Sequence, residues 1–239
     1  MPFVIQKIAY ITDIHIDEEF PKTLGVDSRQ NWERILKDVA SRNINDIIYG
    51  GDIGEKSSNS WFFETLQNYQ LSISLGNHDD FSEVIKHYKI DFYKDFKELS
   101  YVQERDFFKC IFFDSSTEFI SEKQLKWLKG ELITPKKILL FIHHPIVEIP
   151  SIIDKKFALK GREKIQALLQ EVSNDVTIFS GHYHMQDHRH YKNITQYITP
   201  AGSYQVEKDP KEIKVHSNTF GYRIIELNKD QINTDVVLF

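Results

Sequence analysis

Ile8-Ala9-Tyr10-Ile11-Thr12-Asp13-Ile14-His15 is the stretch from which the fold of this chain can be read. Its four leading apolar residues read as a buried strand, and an aspartate and a histidine two positions apart follow almost at once. Residues two apart in an extended segment project to the same side, so Asp13 and His15 can grip one ion. The pattern recurs four times. Ile47-Ile48-Tyr49 runs into Gly50-Gly51-Asp52, and Leu71-Ser72-Ile73-Ser74-Leu75 into Gly76-Asn77-His78-Asp79. Ile138 to Ile142 runs into His143-His144-Pro145, and Val176 to Phe179 into Gly181-His182-Tyr183-His184. Side chains turn outward together where a strand stops pairing, which is why ligands of open α/β sheets collect outside the carboxyl ends of strands. Clusters so placed deliver two carboxylates, an amide and several imidazoles to one sheet edge.

Between these points strand-like and helix-like stretches alternate. Phe3 to Ile11 is expected as strand and Asp27 to Ser41 as helix, with Asp27 or Ser28 as cap and Trp32, Ile35, Leu36 and Val39 at helical spacing. Ile47 to Tyr49, Ser60 to Asn68, Leu71 to Leu75 and Phe81 to Tyr88 continue as strand, helix, strand, helix, which predicts βαβ units and a mostly parallel sheet. After Asp91 the character changes. Ser100 to Gln103 and Phe107 to Asp114 flank the turn-like Glu104-Arg105-Asp106 as an antiparallel hairpin, where a second sheet begins. Glu122 to Leu132 and Arg162 to Val172 have helical periodicity, and Lys137 to Ile142 and Val176 to Ser180 are short buried strands. Gln186 to Tyr191, Ile194 to Thr199, Phe220 to Leu227 and Ile232 to Leu238 supply further strands, with turns at Lys192-Asn193 and Asn228-Lys229-Asp230. The charged stretch Glu207 to Asn218, with Pro210, reads as a solvated loop, or as one that overhangs a site.

A chain of 239 residues, 41% apolar and 13% aromatic, can bury a substantial core, and residues 1–239 are expected to form a single domain. The formal charge of −5 gives no global attraction to nucleic acid, so a dedicated nucleic-acid binder is disfavoured. Cys110, the only cysteine, lies in an apolar strand-like run and reads as a small core hydrophobe. The opening Met1-Pro2-Phe3-Val4-Ile5-Gln6-Lys7 does not read as a signal peptide, and no apolar run approaches the roughly 20 residues that span a bilayer. A soluble cytoplasmic protein is the expectation.

Taken singly, each cluster has an ordinary alternative: a surface acid beside a partly buried histidine, a Gly-Asp turn, a loop of turn-forming residues, or two strand-surface histidines. All five in order at strand ends are hard to explain that way. Mixed nitrogen and oxygen donors of this kind suit a pair of divalent transition metals, and such a pair activates water against phosphate esters. Asn77 and His78 are adjacent, so their side chains diverge; one can ligate through its amide oxygen while the other is free for proton transfer. His182 and His184 are spaced to place one imidazole on each of two neighbouring ions. His144 is expected either to touch substrate or to close the loop before Pro145. His188 and His190 read as outward strand residues, and His87 and His216 as helix-surface and loop residues.

The set Asp-x-His, Gly-Asp, Gly-Asn-His-Asp, His and Gly-His-x-His, complete and in order from Asp13 to His184, resembles the calcineurin-like metallophosphoesterase superfamily. The resemblance implies a four-layered α/β/β/α sandwich, two mixed sheets flanked by helices, with a dinuclear site at the sheet edges. It implies that Asp13, His15, Asp52 and His184 hold one ion, that Asp52, Asn77, His143 and His182 hold the other, and that Asp52 bridges them. It further implies that Glu55, three positions after Asp52, orients His78, and that the ions are drawn from Mn, Fe and Zn. Finer features are similar to the bacterial class III cyclic nucleotide phosphodiesterases: Gly25-Val26-Asp27-Ser28, the second aspartate of Gly76-Asn77-His78-Asp79-Asp80, Thr199-Pro200-Ala201-Gly202-Ser203, and Phe220-Gly221-Tyr222-Arg223. Two positions depart from the pattern. Thr12 stands where serine is frequent, and the segment between Asp52 and Asn77 is short, which puts the shape of the cleft in question.

The expected activity is hydrolysis of a small phosphodiester, with a 3′,5′-cyclic nucleotide as one candidate and His78 as proton donor to the leaving group. Ile53-Gly54-Glu55-Lys56 after Asp52, and Leu75 before Gly76, lack the arginines with which phosphoprotein phosphatases of the superfamily clamp a monoester dianion, and this favours diesters. Phosphomonoesters and nucleotide pyrophosphates are the alternative substrates. A non-catalytic binding scaffold is the alternative of another kind, disfavoured because His78 and the whole ligand set are present.

Overall fold

One aromatic ring from each strand forms a continuous row across the inner face of one sheet. Tyr101, Phe112, Phe141, Phe179 and Tyr197 stack in turn at centroid separations of 4.4, 5.0, 5.4 and 5.5 Å, and His188 closes the row on Tyr197 at 4.7 Å. The spacing is that of neighbouring strands, about 4.8 Å, so the row follows directly from their register. The computed structural model describes residues 5–88, 97–209, 211–229 and 231–239. Phe3 and Val4 of the expected first strand, Asp91, Pro210 and Asp230 lie outside the described residues.

In chain order the elements are β1 (Gln6–Ile11), α1 (Glu19–Thr23), α2 (Ser28–Ser41), β2 (Asp46–Tyr49), α3 (Asn59–Thr65), β3 (Gln70–Ile73) and α4 (Phe81–Val84). β4 (Tyr101–Glu104), β5 (Phe108–Phe113), α5 (Glu122–Glu131), β6 (Lys137–Ile142), α6 (Ile152–Phe157), α7 (Arg162–Glu171) and β7 (Val176–Ser180) follow. The remainder is β8 (Asp187–Tyr191), β9 (Ile194–Ile198), β10 (Gln205–Val206), β11 (Val215–His216), β12 (Gly221–Leu227) and β13 (Ile232–Leu238). They form a five-stranded sheet of order β13-β12-β1-β2-β3 and a six-stranded sheet of order β4-β5-β6-β7-β9-β8. Both sheets are mixed: β1, β2 and β3 run parallel, as do β5, β6, β7 and β9, while β12, β13, β4 and β8 pair antiparallel.

The period of two along each strand sorts side chains between layers. Leu139 and Phe141 of β6, Cys110 and Phe112 of β5 and Phe179 of β7 face the first sheet, in one core with Ile8 and Tyr10 of β1 and Ile48 of β2. Their neighbours Ile138, Leu140, Ile142, Ile111, Phe113 and Ile178 face Leu125 and Leu128 of α5 and Ile165 and Leu169 of α7. Strands buried on both faces need continuous apolar runs, which is how they read in the sequence. Trp32, Ile35 and Val39 of α2 and Phe62 of α3 cover the outer face of the first sheet. Helix, sheet, sheet, helix is therefore the observed layering, as expected.

Tyr10 joins the sheets by packing on Phe141 at 5.8 Å and Phe179 at 6.0 Å. Arg223 of β12 joins them again, donating from Nε to Thr199 Oγ1 at 3.1 Å and from Nη2 to the Ile198 carbonyl at 3.1 Å. Two elements differ from expectation. The helix expected over 81–88 is a single turn, Phe81–Val84. The segment 207–218 is no free loop: β11 within it pairs with β10 just before it, Lys208 bonds Asp187, and the Asp209 carbonyl accepts from Ile152 N at 2.8 Å.

Candidate metal centre

The loops after β1 and β2 stay locked together beyond the strands. Asp13 N donates to the Gly51 carbonyl at 2.9 Å, His15 N to that of Asp52 at 3.1 Å and Ile16 N to that of Ile53 at 2.8 Å. Gly181 N, after β7, donates to the His143 carbonyl after β6 at 3.0 Å, and Gly202 N reaches Thr12 O at 2.9 Å. Parallel strands that end level thus carry their clusters to one place. Asp13, His15, Asp52, His182 and His184 all adopt positive φ, between 49° and 66°. That conformation costs an L-residue on the order of 1 kcal/mol or more, and its concentration in these five side chains is a mark of a functional site.

Glycine is required where the loops touch. A β-carbon on Gly76 would overlap the carboxylate of Asp52, and one on Gly181 would overlap that of Asp13.

Six of the seven expected ligands fall into two neighbouring groups. Asp13, His15 and His184 have donor atoms within 4.8 Å of one another, and so do Asp52, His143 and His182. Oδ2 of Asp52 lies 3.6 Å from Nε2 of His15 and 3.2 Å from Nε2 of His143, between the groups. Nε2 of His184 is 3.3 Å from Oδ1 of Asp13 and 3.1 Å from Nε2 of His15. Two donor atoms, Nε2 of His143 and Oδ1 of Asn77, are buried with no hydrogen-bond partner. Buried ligand atoms without a hydrogen-bond partner, one of them beside the Asp52 carboxylate, fit a cation that completes them.

Each imidazole is also held by its other nitrogen. Nδ1 of His143 faces the Gly50 carbonyl at 2.8 Å, Nδ1 of His184 that of Tyr204 at 3.1 Å, Nδ1 of His15 the Glu18 carboxylate at 3.0 Å, and Nε2 of His182 the Phe157 carbonyl at 3.0 Å. An acceptor on one ring nitrogen takes its proton and leaves the lone pair of the other free, the usual arrangement behind a ligating histidine. The donor set therefore fits a pair of divalent transition ions.

Electrostatics agree. Burial opposes charge on His143, yet the carboxylates of Asp52 and Asp13 raise its pKa to about 10, so the field at this point favours a cation. Burial and the neighbouring His143 lower His182 to about 4 and keep it neutral. Asp79, half-buried, accepts from Asp52 N and Gly76 N at 2.8 Å and from Ile53 N at 2.9 Å, tying the second and third clusters together. Burial and the charge of Asp52 raise its pKa to about 6.

His78 stands at the rim with its side chain 46% exposed, its backbone N donating to Oδ1 of Asp52 at 2.9 Å. The hydrogen bond expected from Glu55 is made by another acid. Nδ1 of His78 lies 3.1 Å from Oε1 of Glu18, whose Oε2 holds His15, while Glu55 is exposed just before the short 3₁₀ turn Lys56–Ser58. The Glu18 bond raises the pKa of His78 to about 9. Glu18 follows His15 by three residues, so its bond to His15 is local, whereas the one to His78 joins distant parts of the chain. His144 is buried, its Nδ1 2.8 Å from Ser115 Oγ and its ring 4.1 Å from that of His182. Behind the last cluster, Tyr183 donates to Asp154 at 2.7 Å and Arg162 grips the same carboxylate with two nitrogens.

The profile of the calcineurin-like phosphoesterase family matches residues 6–192, and the chain belongs to that family. It is 25% identical to a probable cyclic nucleotide phosphodiesterase of Fibrobacter succinogenes, over 97% of this chain and 93% of the relative. It is 29% identical to a probable glycerophosphodiester phosphodiesterase of Arcobacter nitrofigilis, over 68% of this chain and 65% of the relative. Among solved structures a dimetal phosphatase from Danio rerio shares the fold, with a TM-score of 0.65 at 14% identity, covering 96% of this chain and 98% of that one. The family uses divalent metals, and the two donor groups are where this chain can hold them. Among the described residues no helix is long and apolar enough to cross a membrane.

Proposed function

We propose that the protein hydrolyses small phosphodiesters, with nucleotide esters such as 3′,5′-cyclic nucleotides as the favoured substrates. Asp13, His15, Asp52 and His184 would hold one divalent transition ion, and Asp52, Asn77, His143 and His182 the other. The observation that carries this reading is Oδ2 of Asp52, set between Nε2 of His15 and Nε2 of His143 at 3.6 and 3.2 Å. Such an ion pair, when bound, supplies Lewis acidity that lowers the pKa of water and neutralises charge on a phosphoryl group.

The chain's own residues supply the rest. Glu18 accepts from Nδ1 of His78 and so turns Nε2 toward the cleft as a proton donor to the departing alkoxide. Lys56, which follows the Gly-Asp motif, is paired with Asp80 at 2.7 Å, and no arginine stands in that motif to clamp a monoester dianion. The Fibrobacter relative's name supports a cyclic nucleotide and the Arcobacter relative's name a glycerophosphodiester, so aliphatic diesters are the second reading.

The test is release of p-nitrophenolate from bis-p-nitrophenyl phosphate by Mn²⁺-loaded and chelated protein. Loaded protein should cleave this diester in preference to p-nitrophenyl phosphate. His78→Ala should keep its metal and lose about 10²- to 10⁴-fold on diesters with alkyl leaving groups. A monoester preference, or turnover indifferent to chelation, counts against the proposal.

A further inference from the structure

Phe20 is an exposed aromatic residue, 51% accessible, on α1 directly after the loop that carries Asp13 and His15. Its ring meets that of Tyr204 at 5.3 Å and 74°. Tyr204 in turn lies against His184 at 4.2 Å and within 6.1 Å of His15. A wall of rings therefore leads from two of the proposed ligands out to solvent. Its inner end supports the centre, since the Tyr204 carbonyl faces Nδ1 of His184 at 3.1 Å. Phe20, at the outer end, has no such task.

A lone exposed phenylalanine needs no explanation. One joined by ring contacts to ligating histidines is placed to touch whatever ester reaches them. The placement is also rigid: Glu18 at the start of α1 bonds both His15 and His78, Pro21 is buried, and Val26 N donates to the Pro21 carbonyl at 3.0 Å.

We propose that Phe20 and Tyr204 form a stacking platform for the base of a nucleotide ester and so determine a preference for nucleoside over aliphatic diesters. The proposal rests on the phosphodiesterase reading above. Two rings meeting at 74° form a corner, in which a flat heterocycle laid on one ring has its rim against the other. Every base offers a π face, so adenine and guanine esters are accepted alike. An aliphatic alcohol has no such face and gains nothing from the wall.

The test uses the Mn²⁺-loaded full chain with Phe20→Ala and Phe20→Trp. The ratio of kcat/KM for 3′,5′-cyclic AMP to that for glycerophosphoglycerol should fall about 10- to 100-fold in Phe20→Ala, mainly through KM, and return in Phe20→Trp, the range that base stacking supports. Calorimetric titration with AMP reads the platform without turnover: AMP should bind Phe20→Ala more weakly by a similar factor, with inorganic phosphate unaffected. An unchanged ratio, or AMP and phosphate weakened equally, overturns the platform. Wild-type protein that cleaves neither diester yet binds AMP through Phe20 overturns the phosphodiesterase reading and keeps the platform.

Discussion

Glu18 is a single carboxylate with two histidines on it, one oxygen 3.0 Å from Nδ1 of His15 and the other 3.1 Å from Nδ1 of His78. It couples the orientation of a proposed ligand to that of the proposed proton donor. Burial works against its charge, but the hydrogen bonds from His15 and His78 prevail and hold its pKa at about 2. Removing it should therefore affect both functions. Glu18→Ala is expected to weaken metal binding about 10- to 100-fold, the range for loss of a carboxylate behind a ligating histidine, and to slow diester cleavage even at saturating metal. Glu55→Ala should change neither, because Glu55 is exposed and touches neither histidine. Metal titration and turnover of the two variants, side by side, check the assignment. The residues proposed as ligands were legible because aspartate, asparagine and histidine after apolar runs are chemically conspicuous. Glu18 was not: its bond to His78 spans 60 residues of chain, and only folding discloses it. The strained backbone of Asp13, His15, Asp52, His182 and His184 was equally hidden, since no residue type there demands a positive φ.

At the scale of elements, the strands were plain and the short helices were not. Runs such as Ile138 to Ile142 are apolar at every position because both faces are covered, and their length bounds the strand. α1 and α6, of five and six residues, are too short to display helical periodicity, yet both matter to the site. α1 starts from Glu18, and α6 ends at Phe157, whose carbonyl holds His182. Sheet membership of the last strands was also not local information: β8 and β9 extend the second sheet while β12 and β13 return to the first. The aromatic row gives the element scale its test. Phe141 is fully buried between Phe112 and Phe179, two residues before His143. Phe141→Ala is expected to destabilise the fold by about 3 to 5 kcal/mol in urea unfolding, the range for an aromatic truncated in a packed core. Cys110→Ala, a smaller change in the same core, should cost less.

Across the whole molecule, two sheets press their inner faces together and aim their strand ends at a shared edge. Tyr10, Arg223 and the Gly202 contact to Thr12 hold the sheets in register there. That arrangement concentrates Asp13 and Asp52, both buried, with left-handed backbone at five donors, so the fold carries unfavourable terms that bound cations would offset. An ion that binds the native state at 100 times its Kd adds about 2.7 kcal/mol of stability. For a chain of this length that corresponds to about 5 to 10 °C, so chelation should lower Tm by that amount and Mn²⁺ should restore it, read by calorimetry. The central claim is sharper still: two ions share the carboxylate of Asp52. Anomalous diffraction from crystals of Mn²⁺-loaded protein measures this directly. Two peaks about 3.5 to 4 Å apart, with Asp52 between them, are the result the account predicts. A single peak, or two peaks that do not both touch Asp52, would contradict it.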